Sequence, residues 1–148
     1  MLQHQSGISF ALCGLLLAGC SSSLVPDSAP ESVAGCIVTL DDRHSQISEC
    51  PVGSGEWSGW KDFNYGSRFD FSFDENNRHK TILSPTETTC MTYKKTGACS
   101  GEIRYESAEC AHTCYLNFTT PTTGTATKEG YSAGAEFKQR NIQFSIKK

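Results

Sequence analysis

At 148 residues and a formal charge of −3, the chain is of single-domain length and lacks the basic excess of a nucleic-acid binder. No apolar run in it reaches the ~20 residues that a membrane-spanning helix needs. Met1 to Gly19 contains no Asp, Glu, Lys or Arg, so the whole formal charge lies beyond Gly19.

The first element is the nearly apolar run Ile8–Leu17, the size of a secretory h-region, followed by the small residues Ala18 and Gly19, then Cys20 and three serines. Leu17, Ala18, Gly19 and Cys20 resemble the lipobox of bacterial lipoproteins, with one departure: the n-region carries His4 but no Lys or Arg. The resemblance covers the first twenty residues. It implies that residues 1–19 are a signal peptide and that Cys20 becomes the acylated (palmitate-bearing) first residue of the mature chain. In that family an Asp after the cysteine favours the inner membrane, so Ser21 implies a lipid anchor in the cell outer membrane, with the protein facing the periplasm or the surface. One acyl chain holds only marginally, and a lipoprotein's several chains supply the stable attachment.

Residues 20–35 hold Pro26 and Pro30 among small polar side chains, a composition that buries little apolar surface. They are expected to be the lipidated cysteine and a flexible tether, leaving 36–148 as the folded domain. Six cysteines follow Cys20: Cys36, Cys50, Cys90, Cys99, Cys110 and Cys114. An even number in a small exported domain predicts three disulfides. Cys36–Cys50 and Cys90–Cys99 are the favoured pairs, the second across a hairpin around Lys94–Gly97, although spacing alone leaves many connectivities open.

The domain has few leucines and many threonines, which favours strands. Phe69, Phe71 and Phe73 fall on one face, with Arg68, Asp70, Ser72 and Asp74 on the solvent face. Ile103 and Tyr105 alternate with Glu102, Arg104 and Glu106. Cys114, Leu116 and Phe118 form another apolar face, and Ile142, Phe144 and Ile146 a last one. Period-two patterning with turn signals between predicts an all-β fold, a small antiparallel β-sandwich or barrel stapled by disulfides. "TTPTTGTAT" reads as a long solvated hairpin loop.

If "CAHTC" is extended, Cys110, His112 and Cys114 share a side, and two thiolates with an imidazole are a donor set for zinc or copper. In an oxidising compartment the same sulfurs are disulfide partners and His112 a surface residue. That reading takes precedence, and no metal or other cofactor is expected. "GEWSGW" puts Trp57 and Trp60 on a glycine-rich loop, where they either anchor a sugar or protein partner or, the favoured reading, plug one end of the core. Hydrolase, zincin and phosphate-loop motifs are missing, and His44, His79 and His112 are far apart in sequence with no nucleophile nearby in a recognisable context, so no enzyme is expected. Ser132–Lys147 faintly resembles a segment of the membrane-bound inhibitors of c-type lysozyme. That resemblance implies a binding role for Ser132 and Lys147, without the aromatic pair that precedes the lysine in that family. Together these features predict a lipid-anchored binding or structural module of the envelope with a protein or glycan partner. A lysozyme inhibitor is the alternative, and a periplasmic metal-binding protein the lesser one.

Overall fold

The alternation that ends the chain becomes the longest strand and the spine of the sheet. The computed structural model describes residues 27–84, 87–107 and 110–148. The signal peptide, Cys20 and the first part of the expected tether lie outside the described residues. Ten strands occur in chain order: β1 (Ile37–Asp41), β2 (Gln46–Pro51), β3 (Lys61–Asp62), β4 (Arg68–Ser72), β5 (Arg78–Ser84), β6 (Glu87–Gly97), β7 (Ser100–Glu106), β8 (Ala111–Thr120), β9 (Thr123–Ser132) and β10 (Ala135–Lys147). All pairings are antiparallel, and no helix occurs among the described residues, so the fold is all-β.

The sheet runs β3-β2-β10-β9-β8-β7-β6-β5, with β1 paired to β10 and β4 to β1. β9 lies along one edge of β10, while two strands share the other. β2 pairs with Ala135–Arg140, and β1 with Gln143–Lys147. Between these stretches the β9–β10 register shifts, and Asn141 adopts φ 64. An extra residue in the left-handed region is how a strand bulges and bends, and Asn is one of the few side chains that tolerates it. The sheet curls, and the turn after β4 brings the start of β5 beside the end of β4. Asp74 N–H donates to the Arg78 carbonyl at 2.7 Å, and the His79 ring, 2.8 Å from the Ser72 carbonyl, lies edge-on to Phe71.

The core fills the inside of this curl. Val38 and Leu40 from β1, Ile103 from β7, Leu116 and Phe118 from β8, and Ile142, Phe144 and Ile146 from β10 are buried together. The predicted apolar faces of β7, β8 and β10 are therefore the real ones. Phe118 and Phe144 meet edge to face, 4.8 Å between centroids. Gly124 makes this possible, because a Cβ there would collide with the Asn117 carbonyl and the Phe144 ring. The expected long Thr-rich loop is accordingly almost all strand: β8 reaches Thr120, β9 starts at Thr123, and Gly124 and Ala126 are buried.

Two further expectations are corrected. The stretch Asp27–Gly35, assigned to the tether, lies against the fold. Val33 is fully buried, Ala29 N–H donates to the Ala98 carbonyl, the Tyr93 hydroxyl donates to the Pro30 carbonyl at 2.6 Å, and Lys95 Nζ is 2.7 Å from both Asp27 and Glu31. Val33 and Ala29 supply the apolar contact that composition alone hides. The expected disulfide staples are not present either: no two of Cys36, Cys50, Cys90, Cys99, Cys110 and Cys114 stand at disulfide distance. Cys36 precedes the residue opposite Lys147, and Cys50 is opposite Glu136, so the length of β10, roughly 35 Å, separates them. Cys90 and Cys99 lie at the two ends of the β6–β7 hairpin, roughly 20 Å apart, against the ~7 Å limit for a bridge. Chain spacing hides this because β6 is much longer than the sequence suggests.

β4 is an edge strand, and its phenylalanines descend into the core by steps. Phe69 is 46 % exposed, Phe71 half-buried and Phe73 3 % exposed. Asp70 is not an idle surface residue, since it accepts the hydroxyl of the buried Thr39 at 2.6 Å. Phe73→Ala should cost roughly 3–5 kcal/mol. Phe69→Ala should cost under about 1 kcal/mol. Asp70→Ala, which strands the Thr39 hydroxyl, should cost about 1–2 kcal/mol. Urea midpoints rank the three, and equal shifts for Phe69 and Phe73 would contradict the placement of β4.

Candidate functional site: an aromatic groove on the outer face

Residues directly opposed across an antiparallel sheet share a face, so the registers line up side chains in rows. One outer-face row runs Glu106, Ala111, Tyr131, Glu136 from β7 to β10. The next runs Arg104, Thr113, Glu129, Lys138. At the centre of both stand small side chains, Ala111 and Thr113, with larger ones around them. The result is an open groove of about 590 Å³, walled on the β10 side by Trp57 and on the β7 side by Arg104 and Glu106.

Trp57 reaches the groove because the loop between β2 and β3 folds back over β2. Ser58 N–H donates to the Glu49 carbonyl at 2.8 Å, Glu49 N–H donates to the Ser58 hydroxyl at 2.9 Å, and the Ser48 hydroxyl donates to the Ser58 carbonyl. The loop then lays Trp57 against the Lys138 ammonium, 4.6 Å from the ring centroid, and Trp60 against the Arg140 guanidinium, 4.2 Å away. Arg140 is itself fixed by donating twice to the Gln46 side chain. Each cation–π contact at an exposed site contributes ~0.5–1 kcal/mol, enough to orient a ring. Both indoles keep about two-fifths of their surface exposed. The expectation that they plug the core is thus corrected: they lie on the opposite face of the sheet. Tyr115 and Tyr131 are exposed on that face as well. The Tyr115 hydroxyl donates to Glu129 at 2.9 Å, and this carboxylate raises the Tyr115 pKa above the ordinary phenol value.

Beneath the groove, on the inner face, lies His112. Its ring stacks on Tyr105 at 4.6 Å and meets Phe137 edge-on at 6.0 Å across β9. Gly130 is what stands between, and a Cβ there would strike His112 and the Ala111 carbonyl. Burial first, then the nearby Lys128 charge, push the His112 pKa down to about 4. His112 is therefore a partly buried, neutral ring on the inner face rather than the ordinary surface residue expected.

No protein-family model, curated protein or solved structure matches this chain.

Of the sequence-derived candidates, Trp57 and Trp60 share the outer face, but only Trp57 lines the groove. Ser132 and Lys147 sit at opposite ends of the β9–β10 ladder, roughly 35–40 Å apart, and form no common site. Cys110 Sγ is 3.7 Å from His112 Nδ1. Cys114 is buried in the core, and that burial pushes its thiol up to about 12. Among the described residues no three His, Cys, Asp or Glu side chains cluster as a metal site would require. Sequence reasoning passed over Tyr115, Tyr131 and the charges beside them. A signal was present: Tyr115 falls between Cys114 and Leu116, an aromatic residue on the polar phase of its strand.

The depressed His112 pKa carries a sign. The folded state keeps the ring neutral down to about 4, whereas the unfolded chain protonates near the ordinary 6.5. Stability supplied by the neutral ring is whole above about 6.5 and is lost as pH falls towards 4, by at most about 3 kcal/mol. His112→Phe keeps the stacking and removes the titration. Urea midpoints between pH 7 and 4.5 should fall more steeply for the wild type than for the variant. Parallel curves would place His112 in solvent.

Proposed function

We propose that this chain is a lipid-anchored envelope lipoprotein whose folded domain is a binding module, with the outer-face groove as the place where its partner sits. The observation that carries the binding role is the grouping of three exposed aromatic rings, Trp57, Tyr115 and Tyr131, around one groove. Soluble domains seldom gather exposed rings in one place without a partner to cover them. The lipobox at Leu17–Cys20 supports the anchor, and Ser21 supports the outer membrane as its address.

The route of the chain fits this arrangement. Asp27–Gly35 packs onto the domain, so the link from Cys20 is only the stretch 21–26, which spans at most roughly 20 Å. The chain meets the domain at the β6–β7 turn, through Ala98 and Lys95. The groove rows lie towards the other end of β7, at Arg104 and Glu106. The module would therefore stand close to the membrane with its groove directed away from the anchor. The separation of Ser132 from Lys147 gives the lysozyme-inhibitor reading no support. No catalytic role is proposed.

In bacterial cells fed a labelled fatty acid, the wild-type protein should take up label and Cys20→Ser should not. Equal labelling of the two would overturn the anchored reading.

A further inference from the structure

The composition of the groove limits what can fill it, given the binding role proposed for it. Its floor is the middle of the sheet. β8 and β9 are each paired on both edges, so no free strand edge is offered to an extended peptide. Ala111 and Thr113 make the floor shallow, with no deep apolar socket for the anchoring side chain that protein interfaces centre on. A ligand here is read by side chains alone.

Those side chains are flat rings and hydrogen-bonding groups in alternation. Trp57 and Tyr131 each keep about two-fifths of their surface exposed, while Glu106, Glu129 and Glu136 offer acceptors between the donors Arg104, Lys138 and Thr113. Hydroxyl groups, each donor and acceptor at once, fit such a mixed array. The C–H face of a sugar ring also matches the negative face of an aromatic ring. Charge narrows the class further. The groove lining sets two cations, Arg104 and Lys138, against three carboxylates, none of which is in an ion pair among the described residues, and Arg104 already stands 3.6 Å from Glu102. The unbalanced charge is negative, which repels an anionic ligand and favours a neutral or cationic one.

We propose that the groove binds a saccharide without negative charge, with Trp57 and Tyr131 as stacking platforms and Glu106, Glu129 and Glu136 accepting its hydroxyl or ammonium protons.

The test is calorimetric titration of the purified full chain with four trimers: cellotriose, the N-acetylglucosamine trimer, the glucosamine trimer and the galacturonic acid trimer. At least one of the first three should bind saturably, with a Kd of about 1 mM or tighter, and more tightly than the galacturonate trimer. Trp57→Ala and Tyr131→Ala should each weaken it by roughly tenfold, the equivalent of losing one good ring contact. Trp57→Phe should restore most of the loss. Trp60→Ala, which removes an indole of the same face outside the groove, should leave binding within about twofold. Urea midpoints of the variants separate a lost contact from a lost fold. No binding by any trimer, preference for galacturonate, or binding indifferent to both Trp57→Ala and Tyr131→Ala would overturn the sugar assignment. Fatty-acid labelling reports on the anchor independently, so the two readings fail separately. A photocrosslinker at Tyr115 that captures a protein in cells, with no trimer bound, would keep the groove as a binding site and overturn its ligand class.

Discussion

One buried carboxylate holds the corner on which the arrangement turns. Asp42 ends the run of β1 and is 4 % exposed. Its side chain accepts the Ser67 N–H at 2.6 Å and the Gln139 amide at 3.3 Å, with the Lys128 ammonium 3.7 Å away. Its carbonyl accepts both the Ser45 N–H and the Ser45 hydroxyl, and that hydroxyl accepts the Gln139 amide at 2.7 Å. A buried charge is tolerated only when its lone pairs are filled in this way, and removing one partner leaves the others stranded. The corner is therefore a single cooperative unit tying the β1–β2 turn to β4, β9 and β10.

What the corner achieves is geometric. β1 and β2 must lie end to end along one edge of β10, and the strand they share bends at Asn141, opposite the gap between them. With β2 fixed against Ala135–Arg140, the loop that leaves it folds back over its outer face. There the Ser58 hydrogen bonds bring Trp57 and Trp60 to the two cations that β10 presents, Lys138 and Arg140. The groove is thus a consequence of the sheet's internal pairing, built from strands that carry the core on their other face. His112, packed between Tyr105 and Phe137, supports its floor from beneath.

What the sequence could disclose was local. Alternation across 103–105, 114–118 and 142–146 is a property of each strand alone, and it picked out the inner faces correctly. Cross-strand register is not local. Whether Cys36 approaches Cys50, or Ser132 approaches Lys147, depends on how distant strands pair, and in each case β10 holds the two apart. Trp57 misled for the same reason. A large aromatic residue on a short loop defaults to the core unless a cation on a distant strand provides another surface, and Lys138 does so. The Asp27–Gly35 stretch reads as tether by composition, yet two apolar contacts and a lysine shared by Asp27 and Glu31 suffice to dock it. Tyr115 was legible in principle, as an aromatic residue out of phase with the Cys114, Leu116 and Phe118 face, whereas Tyr131, between Gly130 and Ser132, has no apolar face in its strand to be read against.

The central claim is that β1 and β2 occupy successive stretches of one edge of β10. Interstrand proton contacts measured by nuclear Overhauser effects test it most directly. The structure predicts contacts from Leu40 to Phe144 and from Ser48 to Lys138 in the same folded species, with Trp57 ring protons near the Lys138 side chain. If Leu40 meets Phe144 while Ser48 and Trp57 show no contact with Lys138, β2 lies elsewhere. The groove would then lose its wall, and the account of the site would fail with it.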